Sequence, residues 1–360
     1  MASPIAVLGG GNGSHAAVAD LTEAGHEVRW WRRELSAFGT VAVDRTLTVT
    51  DYRGERTVAV NPTSELPEAL DGAELIVAPV PAFAQEALAQ DLAPALSDGQ
   101  VLFLPPGTFG SYTMLRTLRT AGCQADVALA ETGTLPWLTR KRGEGQIRIT
   151  TRASRLPTGV FPARSSNHAL ALISAAFPDA IEPVEDGLSA ALMNAGPIIH
   201  PPLVLMNAGP IEHFPKWDIH NEGTQPAIRS VHDALDAERI AIRERLGYQA
   251  PHFPLSDHYN TSNWMYGHLA HDRLIDSGDW HESLDLGPHR YVSEDIGYGL
   301  TLLVTLAEWL EVPCPVAAGL LAIASAASGS AFRETGRTWA NLGLASLSED
   351  ALRHLLKEGL

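Results

Sequence analysis

Short apolar runs alternate with helix-length segments through the first half of the chain, the pattern of βαβ units and a parallel sheet. Ile5-Ala6-Val7-Leu8 reads as the first strand, residues 14 to 25 as a helix stopped at Gly25, and Glu27-Val28-Arg29-Trp30-Trp31 as the second strand. Later runs at Leu75-Ile76-Val77-Ala78, Gln100-Val101-Leu102-Phe103-Leu104 and Asp126-Val127-Ala128-Leu129-Ala130 read as further strands, with helices at residues 82 to 92 and 111 to 121. The alternation Arg148-Ile149-Thr150-Thr151 adds strands between residues 147 and 183. From about residue 186 the texture changes. Residues 188 to 199, 224 to 246, 292 to 310 and 315 to 328 all have helical length and pattern. The expected organisation is an α/β domain over residues 1–185 and a helical domain over residues 186–360.

Length agrees, since 360 residues make about two domains at ~150 residues each. With 45% hydrophobic and 19% charged residues the chain has ordinary globular usage, which excludes general disorder and fibrous repeats. Lys+Arg 26 against Asp+Glu 42 gives a net charge of -16, the wrong sign for neutralising phosphates, so no nucleic-acid partner is expected. Cys123 and Cys314 form no paired motif, which removes a disulfide framework and a thiolate zinc site. No positively charged segment precedes an apolar stretch at the N-terminus, because Leu8 runs straight into glycines. A cytoplasmic location is the expectation. The uncharged run from Val312 to Phe332 is about long enough to span a bilayer. Pro313 and Pro315 at its start and its many small residues read as a buried helix, so no membrane association is expected.

Gly9-Gly10-Gly11-Asn12-Gly13-Ser14 follows the first strand directly and opens a helix, the context in which G-x-G-x-x-G/A binds a dinucleotide. Gly9 serves the tight turn and Gly11 lets backbone approach the pyrophosphate. Ser14 takes the third position, which needs only a small residue. Asn12 and Gly13 complete the loop. At the end of the second strand, where a carboxylate usually takes the ribose 2′-OH, the chain has Arg32-Arg33. Guanidinium groups pair with a 2′-phosphate, so NADP is placed ahead of NAD. The other reading makes both arginines solvated and gives the acidic role to Glu34. Pro79-Val80-Pro81, where such loops pass the nicotinamide, adds Pro81 as a cofactor contact. Pro105-Pro106-Gly107 and Glu131-Thr132 end later strands in similar positions, and either reads equally as a turn.

Two segments of the second half carry candidate chemistry: Asn194-Ala195-Gly196-Pro197-Ile198-Ile199-His200-Pro201-Pro202, and Arg290-Tyr291-Val292-Ser293-Glu294-Asp295-Ile296-Gly297-Tyr298-Gly299-Leu300. Hydride transfer to C=O or C=N needs an acid beside the acceptor, and histidine suits that task near neutral pH. With residues 7 to 16 and Phe332-Arg333-Glu334-Thr335-Gly336-Arg337-Thr338 followed by Leu342-Gly343-Leu344, these segments resemble the opine dehydrogenase family. That family includes octopine and nopaline dehydrogenases and N-(1-carboxyethyl)-norvaline dehydrogenase. The resemblance covers nearly the whole chain. It implies a Rossmann-type N-terminal domain joined to an all-α domain like the C-terminal domain of 6-phosphogluconate dehydrogenase, with catalysis in the cleft between them. The implied reaction joins an amino acid or amine to a 2-oxo acid such as pyruvate and reduces the imine with NAD(P)H to a secondary amine.

By the same resemblance His200 is the general acid/base, Asp295 its partner, and Arg290 the cation that clamps a substrate carboxylate. An ordinary ion pair between Arg290 and Asp295 under a helix cap remains the other reading. Asn194, one and a half turns before His200, is a candidate contact to substrate or nicotinamide, with core hydrogen bonding equally open. His252, His258, His268, His271 and His281 lie near Asp257 and Asp272 but lack H-E-x-x-H spacing, so no metal is expected. The region rich in His and Trp, including Trp264 and Trp280, looks divergent where the family shapes its amino-acid pocket. A competing function is a 2-oxo acid or ketone reductase of the 6-phosphogluconate dehydrogenase-like superfamily that acts without an amine. It needs a lysine at the reacting centre, and the chain has only Lys141, Lys216 and Lys357. A third reading is a nucleotide-binding sensor without turnover. A homodimer is expected from base rates alone.

Overall fold

A strand buried at every position needs cover on both faces, and β1 (Ile5–Leu8) is such a strand. β7 (Val101–Leu104) and β6 (Leu75–Val77) are buried throughout in the same way. They belong to an eight-stranded sheet with β2 (Val28–Trp31), β5 (Pro62–Thr63), β8 (Ala128–Thr132), β11 (Leu156–Phe161) and β12 (Ile181–Pro183). Its order is β12-β11-β8-β7-β6-β1-β2-β5. Every pairing in it is parallel except that of β11 with β8. The chain runs outward from β1 to β2 and then crosses back to β6 on the other side. The reversal makes the carboxyl ends of β1 and β6 the point where such sheets bind ligands.

The computed structural model describes residues 3 to 260 and 264 to 360. The chain divides into Met1–Ala191 with His354–Leu360, and Leu192–Arg353. In the first unit a second sheet is built from two hairpins, β3 (Thr46–Asp51) with β4 (Gly54–Ala59), and β9 (Trp137–Gly143) with β10 (Gln146–Arg152), joined by β3 alongside β10. Leu47 and Val49 on β3 and Ile147 and Ile149 on β10 are buried, while the residues between them are less so. Arg152 ties this sheet to the first helix, Asn12–Glu23, by pairing with Asp20 at 2.7 Å and with Asp51 at 2.7 Å.

The second unit is helical. Its 20-residue helix Pro226–Arg245 packs on the helices Gly196–Met206 and Pro315–Ser328. Arg239 is buried on it, satisfied by Asp236 at 2.6 Å and by the carbonyls of Leu192 and His252. Glu238 accepts the Val316 and Ala317 N–H groups, each at 2.8 Å, and so caps the helix Pro315–Ser328. At 14 residues that helix is shorter than the ~20 needed to span a bilayer, and its Leu320, Leu321 and Ala324 are buried. Among the described residues the stretch Gly187–Met206 has the length and apolarity for a span, and 78% of its apolar window is buried.

Two segments differ from their expected single helices. Residues 188 to 199 are split between Gly187–Ala191 and Gly196–Met206, because Gly196-Pro197 opens a new helix and proline cannot donate within a continuing one. Residues 292 to 310 begin as a π-helix, Tyr291–Leu300, and become α-helical only over Thr301–Trp309. The wider turn closes when the Thr301 N–H returns to the Ile296 carbonyl, five residues back. Phe332 packs on Gly297, and the Arg337 N–H takes the Gly297 carbonyl at 3.0 Å, so the segment from Phe332 braces the widened turns.

Candidate active site

In the first unit the glycine-rich loop has the shape its sequence implies. Gly9 sits at φ +108, a conformation L side chains rarely adopt, and its N–H bonds the Trp31 carbonyl at 3.0 Å. A Cβ on Gly11 would meet nothing within 4 Å, so the backbone there is open to an approaching group. Gly11 begins the helix Asn12–Glu23, whose N-terminus has no side-chain cap and no acidic residue in its first turn. Its free N–H donors and positive dipole end suit a pyrophosphate. A Cβ on Gly13 would lie 2.9 Å from Pro79, which brings the loop after β6 against this turn. Ser14, fully buried, donates its hydroxyl to the Leu8 carbonyl at 3.2 Å and ties helix to strand in the third position of the fingerprint. His15 and Trp30 shape the loop from beneath. His15 Nδ1 lies 2.8 Å from the Gly11 carbonyl, and Trp30 Nε1 donates to the Gly9 carbonyl at 2.7 Å. Burial lowers the His15 pKa to about 4 despite its bond to Gly11, so it is neutral.

The two arginines after β2 have different surroundings. The Arg32 guanidinium lies across Gly10, within 2.5 Å of where a Cβ would be, donates to the Ala37 carbonyl and stacks 5.4 Å from the Phe38 ring centre. Arg33 pairs with Asp91 at 2.8 Å, with 60% of its side chain exposed. Lys141, which sequence reasoning weighed only as a missing catalytic lysine, reaches this loop from β9. Its N–H bonds Asn12 Oδ1 at 3.0 Å and its ammonium meets the Gly10 carbonyl at 3.4 Å. The signal was non-local, because the second sheet carries Lys141 to a loop some 130 residues earlier in the chain. Glu131 is fully buried and accepts the Phe109 and Ser111 N–H groups at 2.7 and 3.1 Å, which makes it the cap of the helix Gly110–Thr120.

In the second unit the helix Gly196–Met206 and the π-helix Tyr291–Leu300 bring His200 and Asp295 together. His200 Nδ1 lies 2.8 Å from Asp295 Oδ2. A carboxylate can only accept, so the Nδ1 proton belongs to the imidazole and the other ring nitrogen, Nε2, is left for chemistry. Two glycines allow the approach. A Cβ on Gly196 would lie 2.3 Å from Asp295 Oδ1, and one on Gly299 would lie 2.1 Å from Pro197 Cγ. Tyr291 stacks on the imidazole at 3.8 Å between ring centres and 18° between planes, and His220 meets its edge at 5.8 Å. Neither ring was singled out from the sequence.

Arg290 pairs with Glu294 at 3.1 Å, not with Asp295, and 54% of its side chain is exposed. Its pKa is raised: burial alone would lower it, but the charges of Glu294 and Asp295 more than offset that. Asn194 Oδ1 accepts the Gly196 N–H at 3.1 Å and thereby caps the start of the His200 helix. Behind that helix the Ile199 carbonyl lies 2.9 Å from His232 Nε2, and His232 Nδ1 lies 3.0 Å from the Tyr259 hydroxyl. Burial lowers the pKa values of His232 to about 4, His258 to about 3 and His271 to about 4, the neighbouring charges being smaller influences. Among the described residues no three histidine, cysteine, aspartate or glutamate side chains group as a metal site would need.

A parallel sheet with a dinucleotide loop at its switch point, followed by a helical unit holding a histidine-aspartate pair, defines an NAD(P)-dependent oxidoreductase. Residues 183–328 match the family described as NAD/NADP octopine/nopaline dehydrogenase, alpha-helical domain, and residues 4–104 match the NAD-dependent glycerol-3-phosphate dehydrogenase N-terminus. The opine dehydrogenase of Arthrobacter sp. (strain 1C) is 28% identical over 355 residues, covering 97% of both chains. Octopine dehydrogenase in complex with NADH and agmatine has a similar fold, at a TM-score of 0.73 and 20% identity over 98% of both chains. Yersinopine dehydrogenase, solved with NADP+ bound, matches at a TM-score of 0.69 and 17% identity over 99% of this chain and 98% of that one. Over nearly its whole length the chain is similar to opine dehydrogenases.

Proposed function

We propose that this chain uses NADPH, in preference to NADH, to reduce the imine formed between an amino acid or amine and a 2-oxo acid such as pyruvate, with His200 as its acid. The observation that carries the reading is the 2.8 Å contact between His200 Nδ1 and Asp295. Asp295 holds the imidazole by its Nδ1–H and presents Nε2 to the substrate. Tyr291 and the Gly196 contact keep ring and carboxylate in register. While the imine forms, the amine nitrogen replaces the oxo oxygen and gives up two protons; His200 Nε2 takes them in turn and passes them to that oxygen, which leaves as water. When bound, the reduced nicotinamide supplies the hydride. The imine carbon gains that hydride and its nitrogen takes a proton that His200 Nε2 relays from solvent, which turns C=N into CH–NH. Arg290, half exposed at the start of the π-helix, pairs with the oxo acid's carboxylate through a charge-assisted hydrogen bond. Asn194 acts by positioning the His200 helix.

Support for NADPH comes from Arg32, which lies over the loop where the adenosine ribose is expected; Arg33 is already paired with Asp91. Pro81, in the loop after β6, contacts the cofactor at its nicotinamide end. We place the enzyme in the cytoplasm, as a homodimer. His200→Ala tests the central role. It should lose turnover by about 10²–10⁴-fold while binding NADPH as the wild type does; wild-type kcat removes His200 from the mechanism. A better kcat/KM with NADH removes the cofactor preference.

A further inference from the structure

Two cations converge on one residue of the dinucleotide loop, with the charge of Glu144 nearby but paired to neither. The Arg32 guanidinium covers Gly10, and the Lys141 ammonium reaches the Gly10 carbonyl at 3.4 Å, a long and weak contact. Among the described residues neither forms an ion pair. The nearby carboxylate of Glu144 instead approaches the Thr40 N–H, at 3.4 Å. Bringing like charges together costs energy unless an anion lies between them. The strain registers on both Lys141 and His15. Lys141 has its pKa lowered, first by burial and then by Arg32, which together outweigh the opposing charge of Glu144, and the two cations add to the lowering at His15. Lys141 is held here by its own backbone, since its N–H bonds Asn12 Oδ1 at 3.0 Å and β9 pairs with β10. The second sheet thus delivers this residue to the loop.

We propose that Lys141 and Arg32 together clamp the phosphate on the adenosine ribose, so that the β9–β10 hairpin is part of the cofactor site and sets its preference. This rests on the NADPH reading above. The position of the pair favours the ribose phosphate over the pyrophosphate. Both cations sit on Gly10, beside the end of β2, whereas the open backbone suited to the pyrophosphate is at Gly11.

The test is equilibrium binding of NADPH, NADH, adenosine 2′,5′-bisphosphate and 5′-AMP to the wild type, Lys141→Met and Lys141→Arg, by calorimetry. Lys141→Met should weaken NADPH and the bisphosphate by about tenfold, the worth of one charge-assisted hydrogen bond, and leave NADH and AMP within about twofold. Lys141→Arg should restore most of the loss. An equal loss for all four ligands overturns the proposal, because Lys141 would then support the loop or the shared phosphates. Unchanged binding overturns it too. A wild type that binds NADH as tightly as NADPH overturns the cofactor reading itself, an outcome distinct from a wild type that prefers NADPH and keeps its preference in Lys141→Met.

Discussion

Gly196→Ala should disable the enzyme by adding one methyl group that touches no substrate. The new Cβ would lie 2.3 Å from Asp295 Oδ1 and 3.5 Å from Asn194 Oδ1. A carbon and an oxygen need roughly 3.3 Å, so the carboxylate must retreat by about 1 Å or the two helices must part. The His200 to Asp295 contact, now 2.8 Å, would open to roughly 3.8 Å and cease to be a hydrogen bond. A misplacement of that size costs about 10²-fold in rate, and overpacking costs ~1–3 kcal/mol in stability. The assay is steady-state oxidation of NADPH with saturating oxo acid and amine, alongside a thermal melt and a direct NADPH titration. The expected result is a kcat lowered about a hundredfold with NADPH affinity unchanged, because the glycine-rich loop belongs to the other unit. Gly209→Ala is the control: its Cβ would meet nothing within 4 Å, and the helix Ala208–His213 should gain slightly in stability with no change in rate. A folded Gly196→Ala with wild-type kcat would show that turnover does not need the close approach of Asp295 to His200.

Arg290→Ala should raise KM for the oxo acid by about tenfold or more with a smaller effect on kcat, and Arg290→Lys should fall between; an unchanged KM would take Arg290 out of substrate binding. Stability should depend on pH through the buried histidines. His15, His232, His258 and His271 titrate near 4, 4, 3 and 4 in the folded state, against ~6.5 unfolded. Below pH ~6.5 the unfolded chain binds protons that the folded chain refuses, so stability falls as pH drops from there toward 4 and is level above it. The limiting slope for four such groups is about 5 kcal/mol per pH unit. Urea midpoints at pH 7.5, 6 and 5 should therefore decline, and midpoints that stay constant would show that these histidines are not buried neutral.

The central strands and the dinucleotide loop were legible because their signals are local: unbroken apolar runs at β1, β6 and β7, and glycines at a strand-to-helix turn. The second sheet was less so. Its β3 strand alternates Leu47 and Val49 with threonines, a period-2 pattern visible in the sequence, yet which hairpin it joins is a non-local fact. His200, Asp295 and Arg290 were named from the family resemblance, and nothing in their spacing says that Asp295 reaches His200 while Arg290 turns to Glu294. The π-helix decides that, and it depends on Gly297, Phe332 and Arg337 packing from a distant segment. Asn194 illustrates the limit of helical-face arguments. It stands before the helix begins at Gly196, so its one and a half turns from His200 are not helical throughout.

The most direct test of imine reduction follows NADPH consumption with pyruvate alone and with a panel of amino acids and amines added singly, with the product identified by mass. Oxidation should depend on the amine and yield a secondary amine carrying both carbon skeletons. Amine-independent oxidation that yields a hydroxy acid would instead identify a carbonyl reductase.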